Sequence, residues 1–243
     1  MIKERGSSAE LIAQLPCTRP LVDVSLWSAD LGALATDIVR VGSYADLFHL
    51  DVADGHFVPE LLFFPDLVAA LRPFTTVPFH THLMVEQPSW LAARMAEAGA
   101  DLVTVHVETG DQVGSALKLI RSQGKAAGLA VTLDSHIASV LPYLDHTDVI
   151  VMISTPLGTK GTEADATTYH RIAAMRALLQ REAGDRHIPI IADGGIRRHT
   201  VEPLITAGAD GVVPGSLIFG SDQPPAATVE WLHSHRRHST GGV

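Results

Sequence analysis

The feature that most constrains the fold of this chain is the regular return of short runs rich in Val, Ile and Leu. Longer segments with helical patterning separate most of these runs, and no strong hairpin signal joins one run to the next. The runs are therefore predicted to be strands that pair in parallel. There are eight of them, at 21–27, 46–52, 77–85, 101–108, 126–133, 148–154, 188–194 and 210–215.

The segments between the runs carry the signals of helices. Apolar residues recur at three- and four-residue spacing over 29–41, the segment 88–100 contains a helix-stopping Gly, and 169–182 is long and amphipathic. Eight strand–helix units in a chain of 243 residues without a break in composition predict a single-domain α/β fold, the (β/α)8 TIM barrel. An open doubly wound sheet is the alternative, but no run is followed by the GxGxxG turn of a dinucleotide site.

The two ends of the chain lie outside the predicted barrel, which spans 21–232. Residues 1–20 are expected to form an extension with a short helix, packed under the barrel or against a partner. The last segment, 233–243, contains three histidines that resemble a metal-binding tract. A solvated, disordered tail is the favoured interpretation.

Charge and cysteine content argue against several classes of protein. The formal net charge of −9 disfavours a general nucleic-acid binder, which needs clustered basic residues. The single Cys17 allows no internal disulfide, the first residues lack the apolar core of a signal peptide, and no run reaches membrane-spanning length. We therefore expect a cytoplasmic protein with no nucleic-acid or membrane partner, and a homo-oligomer built through apolar helix faces and residues 1–20.

Polar residues interrupt the second, third and seventh runs. His49 and Asp51 are two positions apart and share one face of a strand, as do His80 and His82, and Asp193 closes the seventh run. In a barrel, inward side chains near the carboxyl ends of the strands meet at one mouth. Imidazole and carboxylate are the ligands expected for Zn²⁺, or for Mn²⁺, Fe²⁺ or Co²⁺ where oxygen donors are prominent.

A single histidine is more simply interpreted as a hydrogen-bonded core or rim residue. We favour that interpretation for most of the others, namely His106, His136, His146, His170, His187 and His199. For the candidates above, a grouped pattern on three strands makes coincidence the weaker explanation.

Glycines follow the seventh and eighth runs. Gly194 and Gly195 come after Asp193, and Gly215 and Ser216 precede a predicted short helix, SLIFG. Glycine lets backbone N–H groups approach an anion closely, and the loops after strands seven and eight are the recurrent phosphate site of such barrels. The glycines could simply end the strands, but two glycine loops at the two expected places favour phosphate.

Several motifs, taken in order, resemble the ribulose-phosphate 3-epimerase family. SLWSADL (25–31) resembles its S-I-L-S-A-D-F, and HLDVADGHFVP (49–59) resembles H-x-D-V-M-D-G-x-F-V-P. HLMVEQP (82–88) resembles H-L-M-V-x-x-P, ADGGI (192–196) resembles V-D-G-G-I, and PGSLIFG (214–220) resembles A-G-S-A-I-F. The matches keep the family's order from about residue 21 to residue 220.

The resemblance implies an epimerase that inverts C3 of a ketose phosphate with a divalent metal, usually zinc. A base on one face and an acid on the other would move the C3 proton through an enediolate. Asp51 and Asp193 would be this pair, and Ser25 would contact the substrate. The metal ligands carried over are His49, Asp51, His82 and Asp193, and the phosphate-binding residues are Gly194, Gly195, Gly215 and Ser216.

Three single positions depart from the family pattern. Ala53 stands where the family usually has methionine, and Trp27 replaces a small aliphatic residue, so the lining of the site is altered. His80 stands at a position that is often acidic. A third imidazole near the metal is one alternative, and a hydrogen-bonding or structural role is the favoured one.

The lid after the sixth run departs more. The family's N-P-G-F-G-G-Q is replaced by STPLGTKGTEAD (154–165), in which Gly158 and Gly161 keep flexibility and Lys160 adds a cation that could reach an anionic substrate. Lids complete a site and exclude water, so this change bears on substrate identity more than on reaction type.

The default substrates are therefore D-ribulose 5-phosphate and D-xylulose 5-phosphate, with a related tetrulose, pentulose or hexulose phosphate as competitor. A sugar-phosphate isomerase or aldolase on the same barrel is an alternative, although a Schiff-base aldolase needs a lysine on an inner strand end. A non-catalytic sugar-phosphate-binding module is the other, and intact Asp51 and Asp193 argue against it.

Overall fold

Eight parallel strands close into a barrel in the computed structural model, which describes residues 8–235. Each strand pairs with the next along the chain, and the eighth pairs with the first. The predicted TIM barrel is thus confirmed. The strands are β1 (Leu21–Ser25), β2 (Leu47–Ala53), β3 (Phe79–Met84), β4 (Leu102–His106), β5 (Ala126–Val131), β6 (Val149–Ile153), β7 (Ile190–Asp193) and β8 (Gly211–Val213).

Helices surround the barrel and connect its strands. The α-helices of the described residues are α1 (Ser8–Ala13), α2 (Leu34–Val41), α3 (Pro65–Leu71), α4 (Pro88–Ala98), α5 (Val113–Ser122), α6 (Thr168–Glu182), α7 (Arg198–Thr206), α8 (Ser216–Phe219) and α9 (Pro225–Ser234). Helices of the 3₁₀ type lie at Leu26–Ser28, Arg72–Phe74, Val107–Gln112 and Ile137–His146.

Alternation along the strands separates two apolar layers. Phe48 and Leu50 of β2 face outward and join the cluster that packs against the helices. Leu47 faces inward and joins a smaller cluster inside the barrel, together with Leu102 of β4 and Ile12 of α1. The short amino-terminal helix therefore covers the end of the barrel opposite the carboxyl ends of the strands.

Two connections differ from the helical pattern of the sequence. The helix predicted over 29–41 begins only at Leu34, because Asp30 accepts a hydrogen bond from the Gly32 N–H at 2.9 Å and holds a turn there. Between β5 and β6 the chain forms the 3₁₀ helix Ile137–His146 instead of an α-helix, and Pro142 inside it lacks an N–H donor.

The carboxyl-terminal helix α9 extends to Ser234, into the segment predicted as a tail, and residues 236–243 lie outside the described residues. Within 8–235, no helix combines the length and the apolar character needed to cross a membrane.

Candidate active site

The candidate active site begins with the inward-facing residues of β2 and β3. His49 and Asp51 share the inner face of β2, Asp51 pairs in register with His82 of β3, and Asp193 ends β7 at the same end of the barrel. The four sequence-predicted ligands therefore come together. One nitrogen or oxygen atom from each lies within 4.8 Å of the corresponding atoms of the others.

The separations within this cluster fit a bound cation better than hydrogen bonds. His49 Nε2 lies 3.3 Å from Asp51 Oδ1 and 3.6 Å from Asp193 Oδ2, and His82 Nδ1 lies 3.5 Å from each of these oxygens. The two nitrogens are 3.4 Å apart. Good N–H···O bonds are shorter, about 2.7–3.2 Å. Ligand atoms about 2.0–2.2 Å from a tetrahedral ion would be separated by about 3.3–3.6 Å, so the four residues fit a divalent cation.

In both His49 and His82, the ring nitrogen that points away from the cluster (the outer nitrogen) contacts a neighbouring side chain. His49 Nδ1 lies 2.9 Å from Asp23 Oδ2, and His82 Nε2 lies 2.8 Å from His106 Nε2. His106 Nδ1 in turn donates to Glu108 Oε2 at 2.9 Å. When the outer nitrogen carries the proton, the inner nitrogen of each ring presents a lone pair to the cluster, as a metal ligand must.

The charge states along the His82 chain agree with this assignment. Burial lowers the pKa of His106 to about 4, so this imidazole is neutral near pH 7. Burial raises the pKa of Glu108, but hydrogen bonds from His106, Ser135 and the Thr132 backbone N–H outweigh it and help to lower that pKa to about 2. A neutral His106 can therefore donate to an ionised Glu108 and accept from His82.

Electrostatics separates the two carboxyl groups of the cluster. Burial raises the pKa of Asp51, but the attraction of His49 outweighs burial, and the pKa of Asp51 lies well below its ordinary value. Ser25 Oγ also donates to Asp51 Oδ2 at 3.1 Å, which favours the ionised form. Burial and the negative charge of Asp51 raise the pKa of Asp193 above its ordinary value. The site thus holds one ionised carboxylate and one carboxyl group biased towards the protonated form.

A cavity of about 220 Å³ opens above the cluster at the carboxyl ends of the strands. Every sequence-predicted site residue lines it except His49, which lies fully buried beneath. The predicted residues in the lining are Ser25, Asp51, His82, Gly158, Lys160, Gly161, Asp193, Gly194, Gly195, Gly215 and Ser216.

Similarity to known proteins agrees with this architecture. The chain matches the family model described as "Ribulose-phosphate 3 epimerase family" over residues 21–219. The chain belongs to the ribulose-phosphate 3-epimerase family. It is 36% identical to the ribulose-phosphate 3-epimerase of Mycobacterium bovis over 208 residues, covering 86% of this chain and 90% of the relative. It is 33% identical to that of Bacillus subtilis over 208 residues, covering 85% and 95%. The chain is therefore an epimerase that acts on carbohydrates.

Solved structures share the fold at greater distance. One of these structures is KGPDC from Streptococcus mutans in complex with D-R5P. Its comparison with this chain gives a TM-score of 0.68 and a sequence identity of 16%, and covers 88% of this chain and 95% of that one. An identity this low establishes a common barrel and nothing finer.

The lid of this family member, 154–165, packs on the glycine loop after β7. Gly194 and Gly195 have φ angles of 96° and 64°, and a Cβ at Gly195 would lie 2.3 Å from the backbone nitrogen of Ala164. Glycine is therefore required where lid and loop touch. At the other side of the mouth, Lys160 Nζ donates to the Trp27 carbonyl at 2.8 Å, so the lid spans the mouth of the cavity.

Three residues that the sequence patterns did not reveal also belong to the site. Asp23 lies two positions before Ser25 on β1, so both face the inside of the barrel. The same two-residue spacing that indicated His49 and Asp51 could therefore have indicated Asp23. Arg197 lines the cavity and donates from Nη1 to Ser216 Oγ at 3.2 Å, a cation beside the glycine loop. Glu108 gives no signal in the sequence, because its role depends on a hydrogen-bond chain between strands.

Proposed function

We propose that this enzyme is a divalent-metal-dependent 3-epimerase of a ketose phosphate. The observation that carries the proposal is the pair Asp51 and Asp193. Both carboxyl groups reach the base of one cavity from different strands, and both border the two histidine nitrogens at 3.3–3.6 Å.

His49, Asp51, His82 and Asp193 would hold the metal, for which zinc is the first candidate and Mn²⁺, Fe²⁺ and Co²⁺ are alternatives. A divalent ion bound there would supply stabilisation of the negative charge that develops on the substrate oxygens. The supporting observations are the donor set, two nitrogens and two carboxylate oxygens, and the separations of those atoms.

Proton transfer is assigned to the two aspartates. Asp51, with its lowered pKa, is ionised and can take the C3 proton, while Asp193, with its raised pKa, can carry a proton to the opposite face. In the reverse reaction the roles exchange. Ser25 positions Asp51 through its hydrogen bond at 3.1 Å and lies in the cavity where it can reach the substrate.

The phosphate group is assigned to the glycine loops after β7 and β8. Gly194, Gly195, Gly215 and Ser216 line one part of the cavity. A Cβ at Gly215 would lie 2.3 Å from Ser28 Oγ, so no larger residue fits there. Exposed backbone N–H groups bind phosphate oxygens well. Arg197, beside Ser216, adds a positive charge.

D-ribulose 5-phosphate and D-xylulose 5-phosphate are the first candidate substrates, because the relatives at 33% and 36% identity are named for ribulose phosphate. Tetrulose, other pentulose and hexulose phosphates are the competitors. Trp27 and the lid residues Gly158, Lys160 and Gly161 all line the cavity, so the part of the site that departs from the family faces the substrate.

The test is a panel of ketose phosphates incubated with the metal-loaded enzyme and analysed for the C3 epimer. We expect one member of the panel to be converted, with conversion abolished by a chelator and by Asp51→Asn. An enzyme that binds a divalent ion yet converts no member of the panel would contradict the proposal. The same panel distinguishes an isomerase or an aldolase, which would give an aldose or smaller fragments.

A cytoplasmic location, assembly into a homo-oligomer and the absence of nucleic-acid partners stay predictions from the sequence. The lysine that a Schiff-base aldolase would need is not found on an inner strand end among residues 8–235, and Lys160 lies on the lid with its amino group at the Trp27 carbonyl.

A further inference from the structure

A carboxylate lies inside the barrel beneath the four candidate metal ligands. Asp23 of β1 is completely buried, and its described hydrogen bonds come from two histidines that both contact Oδ2: His49 Nδ1 at 2.9 Å and His80 Nδ1 at 2.6 Å. Its other oxygen, Oδ1, is buried and has no hydrogen-bond partner among residues 8–235. Burying a carboxylate is costly, so its presence here needs a reason.

We propose that Asp23 is a positioning residue that fixes the tautomer and ring orientation of His49, and that His80 and Thr104 hold Asp23 in place. This inference rests on the metal site proposed above. It concerns residues outside the four predicted ligands.

The donor and acceptor roles lead to this assignment. An ionised carboxylate can only accept, so His49 donates from Nδ1 to Asp23. In the neutral imidazole that a metal requires, Nε2 then presents its lone pair to Asp51, Asp193 and His82. Carboxylate–histidine pairs of this kind orient metal ligands and raise their basicity.

His80 completes the support and is itself no ligand. Its Nδ1 donates to Asp23 Oδ2 and its Nε2 accepts from the Thr104 hydroxyl at 2.7 Å, so both ring nitrogens are used. The group Asp23, His49 and His80 is close enough to suggest a second metal site. Its contacts of 2.6 and 2.9 Å are hydrogen-bond lengths, whereas the contacts of Asp51 with His49 and His82 are 3.3 and 3.5 Å.

Gly128 of β5, the strand next to Thr104, leaves room for this network. A Cβ at Gly128 of β5 would lie 2.1 Å from Thr104 Oγ1, so any other residue there would displace the hydroxyl that contacts His80. The two metal-facing histidines are thus supported in parallel: His49 directly by Asp23, and His82 by Glu108 through His106.

The experiment is metal affinity measured by chelator competition, with the absorption spectrum of the Co²⁺-loaded protein as a second readout. Asp23→Asn keeps the size of the side chain and removes its charge. We expect it to weaken metal binding about 10–100-fold and to change the Co²⁺ spectrum, while circular dichroism confirms a folded barrel. Thr81→Val is the matched control, since Thr81 is buried on β3 between His80 and His82 and contacts the Leu102 carbonyl.

Should Asp23→Asn fail to fold, His80→Asn gives a second test, with a weaker effect of the same sign expected. Wild-type affinity and an unchanged Co²⁺ spectrum in either folded variant would overturn the inference and leave the epimerase proposal intact. A wild-type enzyme that binds metal, loses affinity in Asp23→Asn and converts no ketose phosphate would refute the proposed function and support the inference. A wild-type enzyme that binds no divalent ion would overturn the inference.

Discussion

The interior of the barrel is lined differently in its two halves. In β1 to β4 eight buried inward side chains are polar: Asp23, Ser25, His49, Asp51, His80, His82, Thr104 and His106. Leu47 and Leu102 are apolar inward residues of the same half. In β5 to β8 the buried cluster inside the barrel contains Ala126, Ala130, Val149, Val151, Ile153, Ile191 and Val213. Asp193 is the inward acidic residue of this second half.

The contrast between the polar lining of β1 to β4 and the apolar lining of β5 to β8 shows how the fold can hold charged groups within a packed interior. Most polar side chains of β1 to β4, the polar half, are held by hydrogen bonds between neighbouring strands, such as His80 to Thr104 and His82 to His106. The apolar half supplies packing and one carboxyl group, and its last two strands, β7 and β8, end in the glycine loops. We infer a division of labour, in which β1 to β4 carry the metal chemistry and β7 and β8 carry phosphate binding.

The largest effect should come from the one acid in the apolar half. Asp193→Asn keeps the shape of the side chain and removes a proton donor, so kcat should fall about 10²–10⁴-fold at saturating metal. Steady-state kinetics on the converted ketose phosphate measures it. Ile191→Val, two positions earlier on the same strand, is the control and should lose only about 1 kcal/mol of stability with kcat retained. Equal losses of kcat in both variants would contradict the assignment.

The polar half should show its own dependence on pH through Glu108. The pKa of Glu108 is lowered from 4.5 to about 2, so its ionised form stabilises the fold above pH 4.5, and this stabilisation is lost as pH falls towards 2. Glu108→Gln should therefore destabilise the metal-free protein by on the order of 3 kcal/mol near pH 7, and by progressively less below pH 4.5.

Chemical denaturation across that pH range measures the difference between Glu108→Gln and wild type. Glu97→Gln, on the exposed side of α4, is the control and should change the free energy of unfolding by less than about 0.5 kcal/mol. A Glu108→Gln deficit that stays constant from pH 7 to pH 3 would argue against the hydrogen-bond chain to His106.

The division of labour predicts that substitutions beside the glycine loops affect binding and spare the chemistry. Arg197→Gln should raise KM for the phosphorylated substrate about 10–100-fold with little change in kcat, because it removes one charge-assisted contact. His199→Gln is the matched control, since His199 and Arg197 both approach Glu163 but only Arg197 lines the cavity. A fall in kcat with KM unchanged would contradict the division.

The smallest expected effect lies at the boundary between the halves. Gly128→Ala places a methyl group where Thr104 Oγ1 lies and should destabilise the protein by about 1–3 kcal/mol. Gly114→Ala in α5 is the control, since its Cβ would meet only a Tyr143 ring carbon at 3.7 Å. Thermal unfolding of both variants measures the contrast. Equal Tm values would show that Thr104 can move freely.

Sequence patterns predicted the barrel and the four-residue cluster because both depend on local rules. Strand periodicity places His49 and Asp51 on one face, and the common end of parallel strands brings in Asp193 and a histidine of β3. The family resemblance singled out His82 as that histidine. The comparisons confirm the family, and the structure gathers the predicted cavity residues around one cavity.

The remaining features depend on contacts between segments, which periodicity does not encode. The pairing of Asp23 with His80 requires side chains from two strands that are not neighbours, β1 and β3. The late start of α2 follows from a side-chain turn at Asp30, and the position of Lys160 depends on how the lid crosses to Trp27.

The central claim is that the two aspartates move the C3 proton at a metal-supported site. Nuclear magnetic resonance of D-ribulose 5-phosphate, or of the substrate found by the panel, incubated with the enzyme in D₂O tests this most directly. We predict deuterium at C3 with the metal-loaded wild type, and none with the chelated enzyme or with Asp51→Asn. Deuterium at C1 instead of C3, or C3 exchange that persists in Asp51→Asn, would contradict the account.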